Sequence, residues 1–146
     1  MRISQHPHNS PWAHGRVIPN FVTQALTGED LTVYGDGDQN RSFCYVSDII
    51  NVLVTLLQSE IKEPVNIGNS DERTTNELAE VALNITNSTG DITYEERPPQ
   101  DIQVRLRDIT KARSELDWKS GVSLQMGLKW SITYFKNHDN TSTSTQ

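Results

Sequence analysis

The 146 residues suffice for one ordinary domain, and an apolar content of 34% makes its core lean. A formal net charge of -6 argues against a broad nucleic-acid surface, which needs a clustered basic face, but leaves room for a local anion site. The single cysteine, Cys44, excludes an internal disulfide and a thiolate metal cluster, and no apolar run approaches the ~20 residues of a membrane span. With no apolar leader at its start, the chain is expected to be soluble and cytoplasmic, without a membrane or nucleic-acid partner.

Residues 1–13 have two prolines, two histidines and no regular period, which predicts an irregular lead-in. His6, His8 and His14 lack a carboxylate or a fixed scaffold among them, so a solvated segment is expected there and no metal site. From Arg16 to Leu26, Val17, Phe21, Val22, Ala25 and Leu26 recur at helical spacing, Pro19 fits the first turn, and Gly28 is a natural stop. Leu31, Thr32 and Val33 favour a short strand, after which Gly35 and Gly37 supply the positive φ of a tight reversal. The stretch Arg41 to Val46 alternates polar with apolar side chains, predicting a strand with Arg41 on the face opposite Ser42, Cys44 and Val46. An arginine braced there can clamp a phosphate through two N–H bonds or pair with a neighbouring carboxylate, and the residues alone allow either.

Ser47 and Asp48 offer a cap for a helix reaching about Ser59. Its Ile49, Ile50, Val52, Leu53, Val54, Leu56 and Leu57 cover too many sides for a helix half in water, so it expects packing on two faces. Pro64 to Gly68 reads as a short strand. Thr74 and Glu77 have the spacing of a capping box ahead of a helix through Leu78, Ala79, Val81, Ala82, Leu83 and Ile85. A turn at 87–91, a strand at Ile92–Tyr94 and a proline-stiffened loop follow. Asp108 is placed to cap a helix from Ile109 to Leu116. Arg105, just before it, either brings a second cation to a diphosphate or balances Glu95, Glu96 and Asp101. Ser123 caps a last helix whose Leu124, Met126, Leu128, Ile132 and Phe135 form an apolar stripe, with Trp130 and Tyr134 expected in the core. Residues 138–146, rich in Asn, Thr and Ser, are expected to be a disordered tail, which leaves 14–137 as the folded domain.

The run Leu-Thr-Val-Tyr-Gly-Asp-Gly at 31–37, with Arg-Ser-Phe-x-Tyr-Val-x-Asp at 41–48, resembles the extended short-chain dehydrogenases that act on nucleotide sugars, specifically the UDP-glucuronate decarboxylases. Gly-Arg-Val-Ile-Pro-Asn-Phe at 15–21, Pro-Val-Asn-Ile-Gly-Asn at 64–69 and Arg-x-x-Asp-Ile-x-Lys-Ala at 105–112 fall in the same order. The resemblance implies an α/β fold of mixed short strands and helices, the carboxyl-terminal part of a Rossmann-type enzyme without its dinucleotide-binding half. It also implies a UDP-sugar ligand, with Val17, Ile18, Pro19, Asn20, Phe21, Thr32, Tyr34, Arg41, Arg105 and Asp108 as substrate contacts. For the complete enzyme it implies a homodimer that uses NAD to oxidise C4 of UDP-glucuronate, loses carbon dioxide and reduces the product to UDP-xylose.

Two features of such enzymes are not in this sequence. Gly35-x-Gly37 lacks a third glycine and leads to a strand, so it is no dinucleotide fingerprint, and no tyrosine has a lysine four residues later. The expectation is a sugar-nucleotide-binding fragment with no catalytic residue of its own and inactive alone. The alternatives are a non-catalytic ligand- or protein-binding module and a fragment of a related nucleotide-sugar epimerase or dehydratase.

Overall fold

The computed structural model describes residues 16–97 and 108–139. The expectations for the lead-in and its histidines, for Arg105 and for 140–146 lie outside the described residues. The elements run α1 (Val17–Thr27), β1 (Leu31–Tyr34), β2 (Asn40–Ser42), α2 (Val46–Gln58), β3 (Glu72–Thr74), α3 (Thr75–Thr86), β4 (Ile92–Glu95), α4 (Thr110–Leu116) and α5 (Leu124–Asp139). The mixture of helices and short strands is the α/β class expected.

Two strand pairs organise the chain. β1 and β4 run parallel, Leu31 beside Ile92 through Tyr34 beside Glu95, joined by a crossover that contains α2 and α3. β2 and β3 are antiparallel, with Asn40, Arg41 and Ser42 opposite Thr74, Arg73 and Glu72. The core lies where α1, α3 and α5 meet β1: Phe21, Val22, Leu31, Val33, Leu78, Ala79, Ala82, Leu128 and Ile132 are buried together. These are the apolar positions of the expected periods, because a strand flanked by helices buries both of its apolar side chains.

Local signals are obeyed where they are self-contained. Gly28, at φ 74, ends α1, and its own N–H and that of Glu29 donate back to Ala25 and Gln24 carbonyls at 3.3 and 2.9 Å. The α3 capping box is formed: Glu77 N–H donates to Thr74 Oγ1 at 3.1 Å and Thr74 N–H to Glu77 Oε2 at 2.8 Å. Ser123 Oγ accepts from Met126 N–H at 3.2 Å at the start of α5.

Other expectations are corrected. The strand foreseen from Arg41 to Val46 stops at Ser42, since β3 offers only three partners and the Phe43 carbonyl instead accepts from Asn69 Nδ2 at 3.0 Å. Pro64–Gly68 lies in neither sheet of the described residues, where β1 is joined to β4 and β2 to β3. Helix α2 begins at Val46 with no side-chain cap. Asp48, 8% exposed, reaches across the molecule, and its Oδ2 accepts from Ser120 Oγ at 3.0 Å, Gly121 N–H at 3.0 Å and Val122 N–H at 2.9 Å. The carboxylate thus fastens the start of α2 to the loop before α5. Trp130 and Tyr134 are 45% and 51% exposed and not in the core, Trp130 standing edge-on to Tyr45 with centroids 5.1 Å apart. Helix α5 runs through His138, whose ring stacks on Tyr134 at 3.9 Å.

Candidate functional site

Parallel strands aim their carboxyl ends at one edge, and in open α/β folds such edges bind ligands. Here β1 ends at Tyr34 and β4 at Glu95, and the glycine turn follows directly, with Gly35 at φ 81 and Gly37 at φ 78. The turn is held rigidly. The Asn76 side chain donates to the Asp36 carbonyl at 3.0 Å and accepts from the Tyr94 hydroxyl at 3.0 Å, while Gly37 leaves no room for a Cβ beside it. Gln39 Nε2 donates to the Tyr34 carbonyl at 3.0 Å, and Thr75 N–H to the Gln39 carbonyl at 3.2 Å, so the start of α3 braces the turn from behind. The strand that leaves the turn carries Arg41.

Arg41 sits on β2 directly opposite Arg73, and its Nη1 donates to the Asn40 carbonyl at 3.1 Å. Facing like charges across an antiparallel pair is unfavourable. Arg73 is balanced by Asp71 at 3.1 Å and Glu77 at 3.9 Å. A third guanidinium, that of Arg97, packs over Gly35, donates to Gln39 Oε1 at 3.2 Å and lies 3.7 Å from Asp36 Oδ1. In the sequence Arg97 stands only as a residue of the proline-stiffened loop. The signal was the parallel pairing, which delivers the residues after β4 to the turn after β1.

The other expected contacts divide. Ile18, at the start of α1, lines a cavity of about 190 Å³ with Phe43, Tyr45, Val122, Leu124 and Leu128. This apolar hollow begins two residues past Arg41, so a cation and an apolar wall are adjacent along the chain, as a ligand with an anionic and a flat part would use. Val17, Pro19 and Asn20 are half-buried beside Ile18. Phe21, 1% exposed, commits its ring to the core. The Thr32 hydroxyl accepts from Gln24 Nε2 at 3.1 Å while Thr32 N–H donates to Gln24 Oε1 at 3.1 Å, an amide clip tying α1 to β1. Tyr34 is 41% exposed at the mouth of the turn. Asp108 lies before α4 and accepts from Thr110 N–H at 2.9 Å and from the Thr110 hydroxyl. Chiefly the hydroxyl bond, then the backbone one, holds its carboxyl below the usual carboxylate value. Helix α4 starts at Thr110, two residues past Asp108, so Asp108 satisfies an early helix N–H from outside the expected cap position.

The glycine turn at 35–37 does not fit the pyrophosphate of a dinucleotide cofactor. A pyrophosphate cradle needs glycines that leave open space before a helix N-terminus, whereas Gly37 is filled by Asn76 and the turn leads into β2. Among the described residues, no three His, Cys, Asp or Glu side chains are placed to hold a metal, and no helix is long and apolar enough to cross a membrane.

The sequence profile of the family described as GDP-mannose 4,6 dehydratase matches residues 3–130. UDP-glucuronic acid decarboxylase 1 of Xenopus tropicalis is 44% identical over 122 residues, which are 84% of this chain and 29% of that protein. UDP-glucuronic acid decarboxylase 5 of Arabidopsis thaliana is 46% identical over 78% of this chain and 33% of its own length. The chain therefore spans about a third or less of these relatives. Among solved structures, UDP-glucose 4-epimerase of Thermotoga maritima with UDP-glucose has a TM-score of 0.82 and 29% identity over 88% of this chain and 42% of its own. UDP-glucuronic acid 4-epimerase of Bacillus cereus, in complex with UDP-glucuronic acid and NAD, has a TM-score of 0.79 and 27% identity over 85% of this chain and 40% of its own. From its profile match, its decarboxylase relatives and its Rossmann-type structural neighbours, the chain belongs to the GDP-mannose 4,6 dehydratase family of nucleotide-sugar epimerases and dehydratases.

Proposed function

We propose that this chain is the carboxyl-terminal, sugar-nucleotide-binding part of a UDP-glucuronate decarboxylase. The observation that carries the proposal is the glycine turn at the carboxyl end of β1, braced by Asn76, which leads into Arg41 on β2 and, two residues later, into the apolar hollow lined by Phe43, Tyr45 and Ile18. In this reading Arg41 and Arg105 neutralise the diphosphate from two directions, and the neighbouring apolar hollow and the Val17–Asn20 segment contact the nucleoside. In the same reading Tyr34 and Thr32 lie toward the ribose, Phe21 supports the contact segment from the core, and Asp108 contacts the substrate from the start of α4.

No residue of this chain is assigned bond-making chemistry. NAD belongs to the complete enzyme and is held outside this sequence, where oxidation at C4, loss of carbon dioxide and re-reduction to UDP-xylose would be carried out. A cytoplasmic location and a homodimer for the complete enzyme belong to the same proposal. Titration calorimetry of this chain with UDP and with UDP-glucuronate tests it: saturable heat with both is expected, and no heat with either from a folded sample contradicts the site.

A second reading, a fragment of a 4-epimerase, is favoured by the TM-score of 0.82 to the Thermotoga epimerase. Product analysis of the complete enzyme with UDP-glucuronate separates the two. Decarboxylation releases carbon dioxide, whereas epimerisation keeps the carboxylate and inverts C4.

A further inference from the structure

The proposed function gives no task to Arg97, which the fold nevertheless places against the glycine turn. Parallel pairing brings the end of β4 beside the end of β1, and Gly35 N–H donates to the Glu95 carbonyl at 2.8 Å. Arg97 emerges two residues later, and its guanidinium lies against Gly35, where a Cβ would stand 2.9 Å from both Nε and Nη2. A glycine leaves the space that this contact needs. From there Arg97 Nη2 donates to Gln39 Oε1 at 3.2 Å and stands 3.7 Å from Asp36 Oδ1, with 21% of its side chain exposed. Gln39 is held at both ends of its amide, since Nε2 donates to the Tyr34 carbonyl at 3.0 Å, and its own carbonyl accepts from Thr75 N–H at 3.2 Å. An amide whose nitrogen is committed to a carbonyl presents its oxygen to the other side, and Arg97 supplies the donor there. Arg41 follows two residues after Gln39. A guanidinium clamp binds well only when its fork is aimed before the ligand arrives.

We infer that Arg97 is a positioning residue for the sugar-nucleotide site: through Gln39 it fixes the connection from β1 to β2, and so aims Arg41 at the diphosphate without touching the ligand itself. The inference rests on the proposed function for the identity of that ligand. A direct phosphate contact from Arg97 fits the geometry less well, because its guanidinium is already turned to Gln39 and Asp36. A plain ion pair with Asp36 also explains less. That carboxylate is 71% exposed and 3.7 Å away, and such pairs contribute little.

The test is a double-mutant cycle on this chain with Arg97→Met and Gln39→Ala, read by calorimetry with UDP and with uridine. Methionine keeps an unbranched stem over Gly35 and removes only the donors, so the fold is retained while the contact is lost. Each single variant should weaken UDP binding by about 5- to 30-fold and leave uridine binding unchanged, and the double variant should bind no more weakly than the weaker single one. Without any ligand, the Gly35 and Thr75 amides should exchange at least about tenfold faster in Arg97→Met, with those of Val22 and Ala82 in the core changing less. Full UDP affinity in Arg97→Met, or an equal loss for UDP and uridine, overturns the inference. So do additive losses around the cycle, which would mark a direct phosphate contact. The two claims fail separately: no UDP heat from the parent removes the sugar-nucleotide site and with it the aim of Arg41, whereas exchange unchanged in Arg97→Met, with UDP heat present in the parent, removes only the role of Arg97.

Discussion

Asp48→Ala probes the contact that joins the two sides of the cavity wall. The native carboxylate is 8% exposed and accepts three hydrogen bonds, two of them from the backbone N–H groups of Gly121 and Val122. A hydrogen bond to a charged group contributes about 1.5–3 kcal/mol, and a buried donor left without an acceptor costs about 1–3 kcal/mol. Three such bonds share one oxygen and the loop can relax, so they do not add, and the expected loss is about 3–5 kcal/mol. For a domain of ordinary stability, about 5–15 kcal/mol, that is a large part of the whole. In urea unfolding with a slope of about 2 kcal/mol/M, the midpoint should fall by about 2 M with the slope unchanged. Asp48→Asn keeps one acceptor oxygen and should fall between the two. Because Tyr45, Val46 and Val122 line the cavity, the alanine variant should also speed exchange of the Gly121 and Val122 amides. A midpoint within about 0.3 M of the parent would refute the reasoning, by showing that solvent replaces the carboxylate at little cost.

Two further perturbations address the edges of the site. Gly37→Ala should destabilise by about 2–4 kcal/mol, since its φ of 78 is strained for alanine and the new Cβ displaces the Asn76 amide from Asp36 and Tyr94. Gly35→Ala meets only the movable Arg97 side chain and should cost about 1–2 kcal/mol, so the reverse order in thermal melts would contradict the bracing role given to Asn76. Asp108 contributes stability that is fully present above its unfolded pKa of about 3.9 and is lost as pH falls through its lower folded value. NMR titration of its carboxyl should show a midpoint below that of an unfolded peptide, raised in Thr110→Ala; an unmoved midpoint would remove the hydroxyl as the main cause.

What the sequence made legible follows the range of the interactions. The Gly28 stop, the glycine turn, the Thr74–Glu77 capping box and the Ser123 cap are settled within a few residues, and all four are formed. The β2–β3 pairing, which sets Arg41 against Arg73, joins residues 30 to 34 apart, and no local pattern announces it. Asp48 has the right chemistry for a cap, but its Oδ2 accepts from tertiary donors at 120–122. Pro64–Gly68 keeps its alternation, with Val65 and Ile67 half-buried about exposed Asn66, but lies in neither sheet of the described residues. Of the candidate site, Arg41 and the apolar wall at Ile18 could be found from motif order. Arg97 required knowing which strands lie side by side.

The central claim is that the Arg41 face binds a diphosphate, and calorimetric titration of the parent chain and Arg41→Ala with UDP and with uridine tests it most directly. A charge-assisted clamp predicts that the substitution weakens UDP binding by about 2–4 kcal/mol, roughly 30- to 800-fold, while uridine binding is unchanged. Equal affinity of the parent and the variant for UDP, or an equal loss for UDP and uridine, would contradict it.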